Sequence, residues 1–219
     1  MINCENVLND PEIIALYNSV NSAKNNNWAS HGLSHIYQCI ENVQKIFDIF
    51  DIQDNSLKEN CLIACSLHDT GMLNGKANHA KRSYIFAKQY LKNKLDKKDY
   101  KIVLATIYNH SFIRNKAPLI ERILVLADKL DMSHSRLLEG GKSINGMRQV
   151  EFIQNIDIFK ENNVFIVLFT IDKQINLQEW KKYYFTKKME LATENLAKYF
   201  HIKWEFRYIF NKNAKYSKK

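Results

Sequence analysis

Long stretches of helical periodicity, with few helix-breaking residues between them, most constrain the fold of this chain. Its 219 residues include only six glycines and two prolines, which favours long helices over many short strands. In GLSHIYQCIENVQKIFDIF, residues 32–50, apolar side chains recur at steps of three and four and so mark one buried helix face. Pro11, preceded by Asp10 as a cap, is typical of the first turn of another helix.

The same periodicity predicts four further helices, at residues 55–69, 79–93, 97–110 and 119–138. Asn55 or Ser56 would begin the first of these. We therefore expect a mainly α fold in which a bundle of about six helices forms a domain over residues 1–140.

The pattern changes after Gly140-Gly141. The segments VEFIQNIDIFK and NNVFIVLFTID, from residue 150 to 172, predict two strands joined by a turn at Glu161-Asn162-Asn163. An amphipathic segment over residues 176–200 and the alternating IKWEFRYIF at 202–210 complete a small β-β-α-β unit. We expect this unit, residues 141–219, to pack on the bundle or on another subunit. A short antiparallel sheet with an exposed edge would allow a homodimer.

Charge is concentrated near the C-terminus. The formal net charge is +9, and residues 180–219 hold 11 of the 32 Lys and Arg residues but only 3 of the 23 Asp and Glu residues. A solvated face with a basic tail explains this better than nucleic-acid binding does, so a nucleic-acid partner is not expected. A more specific explanation of the charge is that it attracts phosphate-bearing ligands.

The sequence gives no sign of export or membrane insertion. The N-terminal segment lacks a basic start followed by an apolar stretch, and the run FIVLF is far too short to span a membrane. The four cysteines, which include Cys61 and Cys65 one helical turn apart, form no CxxC pair. We expect buried thiols in the reducing cytoplasm and no membrane partner.

Ionisable residues interrupt the apolar helical pattern at a few places. The stretch ACSLHDTGM ends an apolar run with His68 and Asp69, and Asp128 lies within ILVLADKL. A carboxylate buried there without a partner costs several kcal/mol, which a metal ion or a hydrogen-bond network would remove. The candidate metal ligands are His35, His68, Asp69, His79, His110 and Asp128.

The motifs HGLSHIYQCIENV, ACSLHDTGM and LVLADKLD stand in this order between residues 31 and 138. They resemble the signature of the HD superfamily of metal-dependent phosphohydrolases, and the resemblance covers roughly half of the chain. It implies that one metal is held by His35, His68, Asp69 and Asp128. It further implies a second metal on His79 and His110, with Asp69 bridging the two.

The resemblance also implies a chemistry, in which His68 and Asp69 are the central catalytic residues. Imidazole and carboxylate ligands suit one or two divalent ions, Mn²⁺, Fe²⁺, Mg²⁺ or Zn²⁺, which would activate water to cleave a phosphoester or phosphoanhydride. The expected substrate is a nucleotide or another small phosphorylated metabolite.

The sequence departs from many family members by having Met72 where a phosphate-binding lysine would stand. Lys76, Arg82 and Lys129 are candidate replacements. The departure leaves open an alternative function, a non-catalytic module that senses a nucleotide.

Other residues have simpler interpretations. We expect His31 to lie partly solvated in a first helical turn rather than to act as a ligand or as a group that supports one, and Asp131 to face solvent rather than to orient a ligand histidine. The C-terminal aromatic residues, among them Trp180 and Phe206, fit a core between a helix and a small sheet better than a nucleobase-stacking surface.

Overall fold

The computed structural model describes residues 2–21 and 27–211, and its fold is mainly α with a small C-terminal sheet, as predicted. The helices before residue 131 are α1 (Cys4–Leu8), α2 (Pro11–Val20), α3 (Leu33–Ile49), α4 (Asn55–Leu67), α5 (His79–Tyr90), α6 (Lys97–Asn109) and α7 (Leu119–Leu130). Six of them correspond to the predicted helices, and the short α1 is an addition. No helix of the described ranges is both long and apolar enough to cross a membrane.

Side-chain caps begin several of these helices. The carboxylate of Asp10 accepts a hydrogen bond from the Glu12 amide at the start of α2, where Pro11 stands first. At α4 the cap is Asp54, which accepts from the Leu57 amide at 2.9 Å. The predicted entry at Asn55 or Ser56 therefore lies one or two residues too far along.

Helix α7 ends at Leu130, so the prediction of one helix to residue 138 is wrong. Asp131 leaves the helix at φ −81° and ψ 80°, and short 3₁₀ turns follow. The guanidinium of Arg136 donates to the carbonyl of Asp131 at 2.6 Å and to that of Asp128 at 3.2 Å. These bonds satisfy carbonyls that the end of a helix leaves without partners.

The C-terminal unit contains β1 (Ile153–Glu161), β2 (Val164–Ile171), α8 (Leu177–Lys182), α9 (Tyr184–Tyr199) and β3 (Lys203–Phe210). Asn162 and Asn163 both have positive φ, 48° and 63°, and form the predicted tight turn of an antiparallel hairpin. The predicted single helix is two, because the backbone is extended at Tyr183.

The sheet is mixed, whereas an antiparallel sheet was predicted. Its strand order is β1-β2-β3, and β3 runs parallel to β2 with Val164 opposite Lys203 and Ile171 opposite Phe210. A helical crossover returns the chain to the same end of the sheet, which makes the connected strands parallel. Strand β3 lies at an edge.

The two parts of the chain share one hydrophobic core. Helix α7 packs against α3 and α4 on one side and against α9 on another, and Trp180, Phe165 and Phe169 are fully buried within the same cluster as Leu126. The C-terminal unit thus lies directly beside the helix that carries Asp128. A domain boundary at residue 140 stays a prediction.

Candidate metal centre

Helix ends bring the six predicted ligands to one place. His35 lies in the first turn of α3, and Asp128 lies in the last turn of α7. His68 and Asp69 follow the end of α4 directly. His79 is the first residue of α5, and His110 follows the last residue of α6.

Four of these side chains form a compact group. The Nε2 atom of His35 lies 3.4 Å from Asp69 Oδ2 and 3.4 Å from Asp128 Oδ1. The Nε2 atom of His68 lies 3.4 Å and 3.9 Å from the same two oxygens. Ligands bound about 2.1 Å from one ion are about 3.0–3.4 Å apart at octahedral or tetrahedral angles, so this group has the spacing that a metal requires.

The other oxygen of Asp69 faces a second group. Its Oδ1 lies 3.5 Å from His79 Nε2 and 3.6 Å from His110 Nε2, and the two Nε2 atoms are 3.0 Å apart. Asp69 therefore presents one oxygen to each group, which is the arrangement of a carboxylate that bridges two ions.

The remaining ring nitrogens fix how the imidazoles point. His68, His79 and His110 each place Nδ1 at 2.7–2.8 Å from the backbone carbonyl three residues earlier. Because a carbonyl only accepts, each Nδ1 carries a hydrogen, and each ring directs Nε2 toward the centre, where a neutral imidazole would offer its lone pair. The orientation is that of metal-binding histidines.

The donor set fits a divalent cation. His68 Nε2 is buried and has no hydrogen-bond partner among the described residues, a state that costs free energy unless a ligand occupies it. Burial alone would raise the pKa of Asp69, but His68 and His31 lower it well below the usual carboxyl range. Asp128 is likewise kept ionised, against the effect of its burial, by Lys129 and His35.

A proton on His68 would compete with a metal ion at the centre. Burial by itself lowers the pKa of His68, but the carboxylates of Asp69 and Asp128 raise it to about 10. A metal ion that binds at neutral pH therefore displaces a proton, so its apparent affinity rises with pH.

His31 lies beside the centre and is partly exposed, as expected, but it does not lie in a helical turn. It precedes α3 in a non-helical segment, where its amide donates to Asn21 Oδ1 at 3.0 Å. Its Nδ1 lies 2.6 Å from Asp69 Oδ2. Burial lowers the pKa of His31 to about 4 even though Asp69 opposes the shift, so His31 is neutral at physiological pH.

Asp131 also corrects an expectation, because it is buried rather than solvent-facing. Its Oδ2 lies 2.6 Å from Nδ1 of His35, so it orients that ligand as an outer carboxylate does in metal sites. Cys39 Sγ lies 3.5 Å from the same Nδ1. Burial raises the pKa of the Cys39 thiol well above its usual range, and its sulfur lies in one group with His35, His68 and Asp128 that could hold a metal ion.

A cavity of about 270 Å³ opens beside Asp69 and Asp128. Its basic lining residues are Lys76, Lys129, Arg136 and Lys188. Lys129 forms an ion pair with Asp128. The pattern of the sequence did not indicate Arg136 or Lys188 as site residues, because neither lies in the quoted motifs.

Arg82, a candidate phosphate contact, is placed differently. Its guanidinium donates to the carbonyls of Gly71, Gly75 and Ala77 and does not line the cavity. It holds the loop that leads from Asp69 to α5 and so positions His79.

Residues 32–133 match the family model described as HD domain. This stretch is an HD domain. The match covers nearly the whole segment that the motifs span, and it includes all six predicted ligands. The HD domain defines a superfamily of metal-dependent phosphohydrolases. A search of curated proteins found no match to the chain.

Proposed function

We propose that this HD-domain protein is a phosphohydrolase that cleaves a phosphoester or phosphoanhydride of a small phosphorylated metabolite. One observation carries the proposal: four imidazole Nε2 atoms and both oxygens of Asp69 face a common centre at the edge of a cation-lined cavity. Cations near the cavity suit a substrate with negative charge.

His35, His68, Asp69 and Asp128 would hold one divalent ion, and His79, His110 and Asp69 a second. Nitrogen and carboxylate ligands suit Mn²⁺, Fe²⁺, Mg²⁺ or Zn²⁺. When bound, such an ion lowers the pKa of water from about 15.7 toward about 7 and neutralises charge on phosphoryl oxygens.

The chain itself supplies orientation and charge. Asp131 fixes the ring of His35, and the carbonyl bonds described above fix His68, His79 and His110. Lys129 and Lys76 both line the cavity, and we assign them to phosphate oxygens of the substrate. Lys129, which pairs with Asp128, is the one beside the metal centre. Pre-positioned groups of this kind lose little freedom when substrate binds, which favours reaction.

A second cavity supports a nucleotide as the substrate. It has a volume of about 130 Å³ and shares His31, Lys76, Arg136 and Phe185 with the first cavity. Its other lining residues include Trp28, Met132, Met147, Tyr183 and Tyr184. Aromatic and thioether side chains stack against planar rings, so a nucleobase there would leave its phosphate near Asp69.

One feature favours a non-catalytic nucleotide sensor as a second candidate. Met72, which replaces the family's lysine, is buried, so it makes no contact with a bound phosphate. In a sensor, nucleotides would raise the melting temperature without being consumed.

The test uses protein that has been freed of metal and reloaded with Mn²⁺. We expect it to hydrolyse p-nitrophenyl phosphate or its bis ester, and we expect Asp69→Ala to abolish turnover. Asp157→Ala is the matched control, because this carboxylate lies on β1, is partly exposed and pairs with Lys45 of α3. Undiminished turnover in Asp69→Ala would refute the proposal. No turnover by the native protein, with stabilisation by an unconsumed nucleotide, would favour the sensor.

We also propose that the protein acts in the cytoplasm as a homodimer. The four cysteines are buried and free, which suits a reducing compartment. Strand β3 has an unpaired outer edge in the described structure and exposes Ile209 and Phe210 near its end, so a second β3 could pair with it. Light scattering should give a dimer mass for the native chain and a monomer mass for Ile209→Lys.

A further inference from the structure

Lys188 brings a charge to the metal-centre cavity from outside the HD domain. It lies in the second turn of α9, beyond the matched residues 32–133, and lines the same cavity as Asp69 and Asp128. The C-terminal unit therefore forms part of the wall of the site.

Lys188 differs from its neighbours on α9 in having no acidic partner. Lys187 pairs with Glu190 at 2.8 Å and Lys198 pairs with Glu194 at 2.9 Å. In the described ranges, no carboxylate lies within 4 Å of the Lys188 ammonium. Of these three lysines, Lys188 lines the cavity, and it is also the one that has no acidic partner in the described structure.

Lys76, an exposed residue that lines the same cavity, has a similar environment. Its ammonium donates to the hydroxyl of Tyr184 at 3.4 Å and, over the described chain, has no acidic partner. It lies 6.0 Å from the centroid of the Tyr184 ring, and the ammonium of Lys188 lies 5.6 Å from the same centroid. The two lysines therefore border one region of the cavity.

This arrangement leaves positive charge without compensation. Partial desolvation and the nearby cations Lys129 and Lys76 lower the pKa of Lys188. The acids of the cavity, Asp69 and Asp128, are already committed to the metal centre. Like charges gathered in a partly desolvated cavity repel one another, and a bound anion relieves the repulsion.

We propose that Lys76 and Lys188 form a second anion subsite, which binds a phosphate of the substrate other than the phosphate at the metal centre. The inference rests on the proposed function and narrows the substrate to compounds with a chain of two or more phosphates. Lys188 is then a specificity residue supplied by the C-terminal unit.

The test compares the binding of inorganic tripolyphosphate and orthophosphate by calorimetry. It uses the metal-loaded protein in excess Mg²⁺, which prevents the polyphosphate from removing metal. Lys188→Met should weaken tripolyphosphate binding about tenfold, the loss expected for one charged hydrogen bond, and orthophosphate binding less than about twofold. Lys187→Met, the adjacent control, should bind both anions as the native protein does.

Three results would overturn the subsite. In the first, Lys188→Met weakens the binding of both anions equally. In the second, that variant binds both anions as tightly as the native protein does. In the third, the native protein binds tripolyphosphate no more tightly than orthophosphate. The measurement requires no turnover. Absence of phosphoester hydrolysis would therefore refute the proposed function, while the ratio of the two affinities would still decide the subsite.

Discussion

The helical bundle buries many charged residues and histidines within its apolar core, whereas the C-terminal unit buries few. In the bundle and the turn after it, these buried groups are His35, His68, Asp69, His110, Glu121, Asp128, Lys129, Asp131 and Arg136. The C-terminal unit buries mostly apolar and aromatic groups, among them Phe165, Val167, Phe169, Ile171, Trp180 and Met189.

The two kinds of buried side chain are stabilised in different ways. Buried apolar groups stabilise the C-terminal unit by leaving water, and no ligand is needed. Buried ionisable groups are costly unless they are paired or bind metal. We therefore expect changes in the C-terminal core to alter the free energy of unfolding, and changes in the bundle's polar core to alter metal binding and catalysis.

The largest effect on stability should come from Phe169→Ala. Phe169 is fully buried and contacts the rings of Tyr208, Phe206 and Trp180 at centroid distances of 4.8, 5.0 and 6.1 Å. Its truncation should lower the free energy of unfolding by about 3–5 kcal/mol, measured by urea denaturation. The metal content of the folded variant should equal that of the native protein. Loss of metal would contradict the expectation that the C-terminal core contributes to stability and not to metal binding.

His68→Gln tests the opposite expectation, that a change in the bundle's polar core lowers turnover and metal binding. We expect turnover of a generic phosphoester to fall about 100- to 1,000-fold, the loss typical when one stabiliser of transition-state charge is removed. The metal content of the folded variant should fall, unlike that of Phe169→Ala, because Nε2 of His68 is one of the atoms grouped with the oxygens of Asp69 and Asp128. A variant that unfolds while native turnover persists in its folded fraction would argue that His68 is structural.

Removal of the metal should loosen the bundle more than the sheet. At a free metal concentration about 100 times the dissociation constant, binding contributes about 2.7 kcal/mol, which chelation would remove. Hydrogen exchange should quicken in α4, α6 and α7, whose ends carry the ligands, and stay unchanged in the β1–β2 hairpin. Uniform quickening throughout the chain would mean that the two regions unfold as one.

Asp131→Asn should have the smallest effect of the four. It weakens the bond that orients His35, and loss of such outer contacts typically lowers metal affinity about 10- to 100-fold. Competition with a fluorescent chelator would measure the change. Asp157→Asn serves as the control, because that carboxylate lies on β1, away from the cavity. Equal affinities of the two variants would show that Asp131 does not position His35.

The sequence predicted the bundle well because local signals determine it. Apolar spacing located α3 to α6 and the start of α7 within a few residues, and the motif order located the HD domain. The end of α7 was missed because it depends on Arg136, whose side chain returns to the helix end. The direction of β3 was missed because it depends on how α9 crosses the sheet, which no local pattern specifies.

Parts of the site depended on contacts that no short motif contains. Asp131 and His35 are 96 positions apart along the chain, and His31 reaches Asp69 from a segment held by Asn21 rather than from a helical turn. Lys188 lies in the other half of the chain. Helical spacing alone therefore favoured a helical turn for His31 and a solvent-facing position for Asp131.

The central claim is that the inward-facing histidines and aspartates share divalent cations. Elemental analysis of the purified protein, reloaded with Mn²⁺ and freed of excess ion, tests it most directly. The account predicts two ions per chain in the native protein and one in a His79→Ala/His110→Ala variant that retains His35, His68, Asp69 and Asp128. A native protein that retains no divalent ion under these conditions would contradict it.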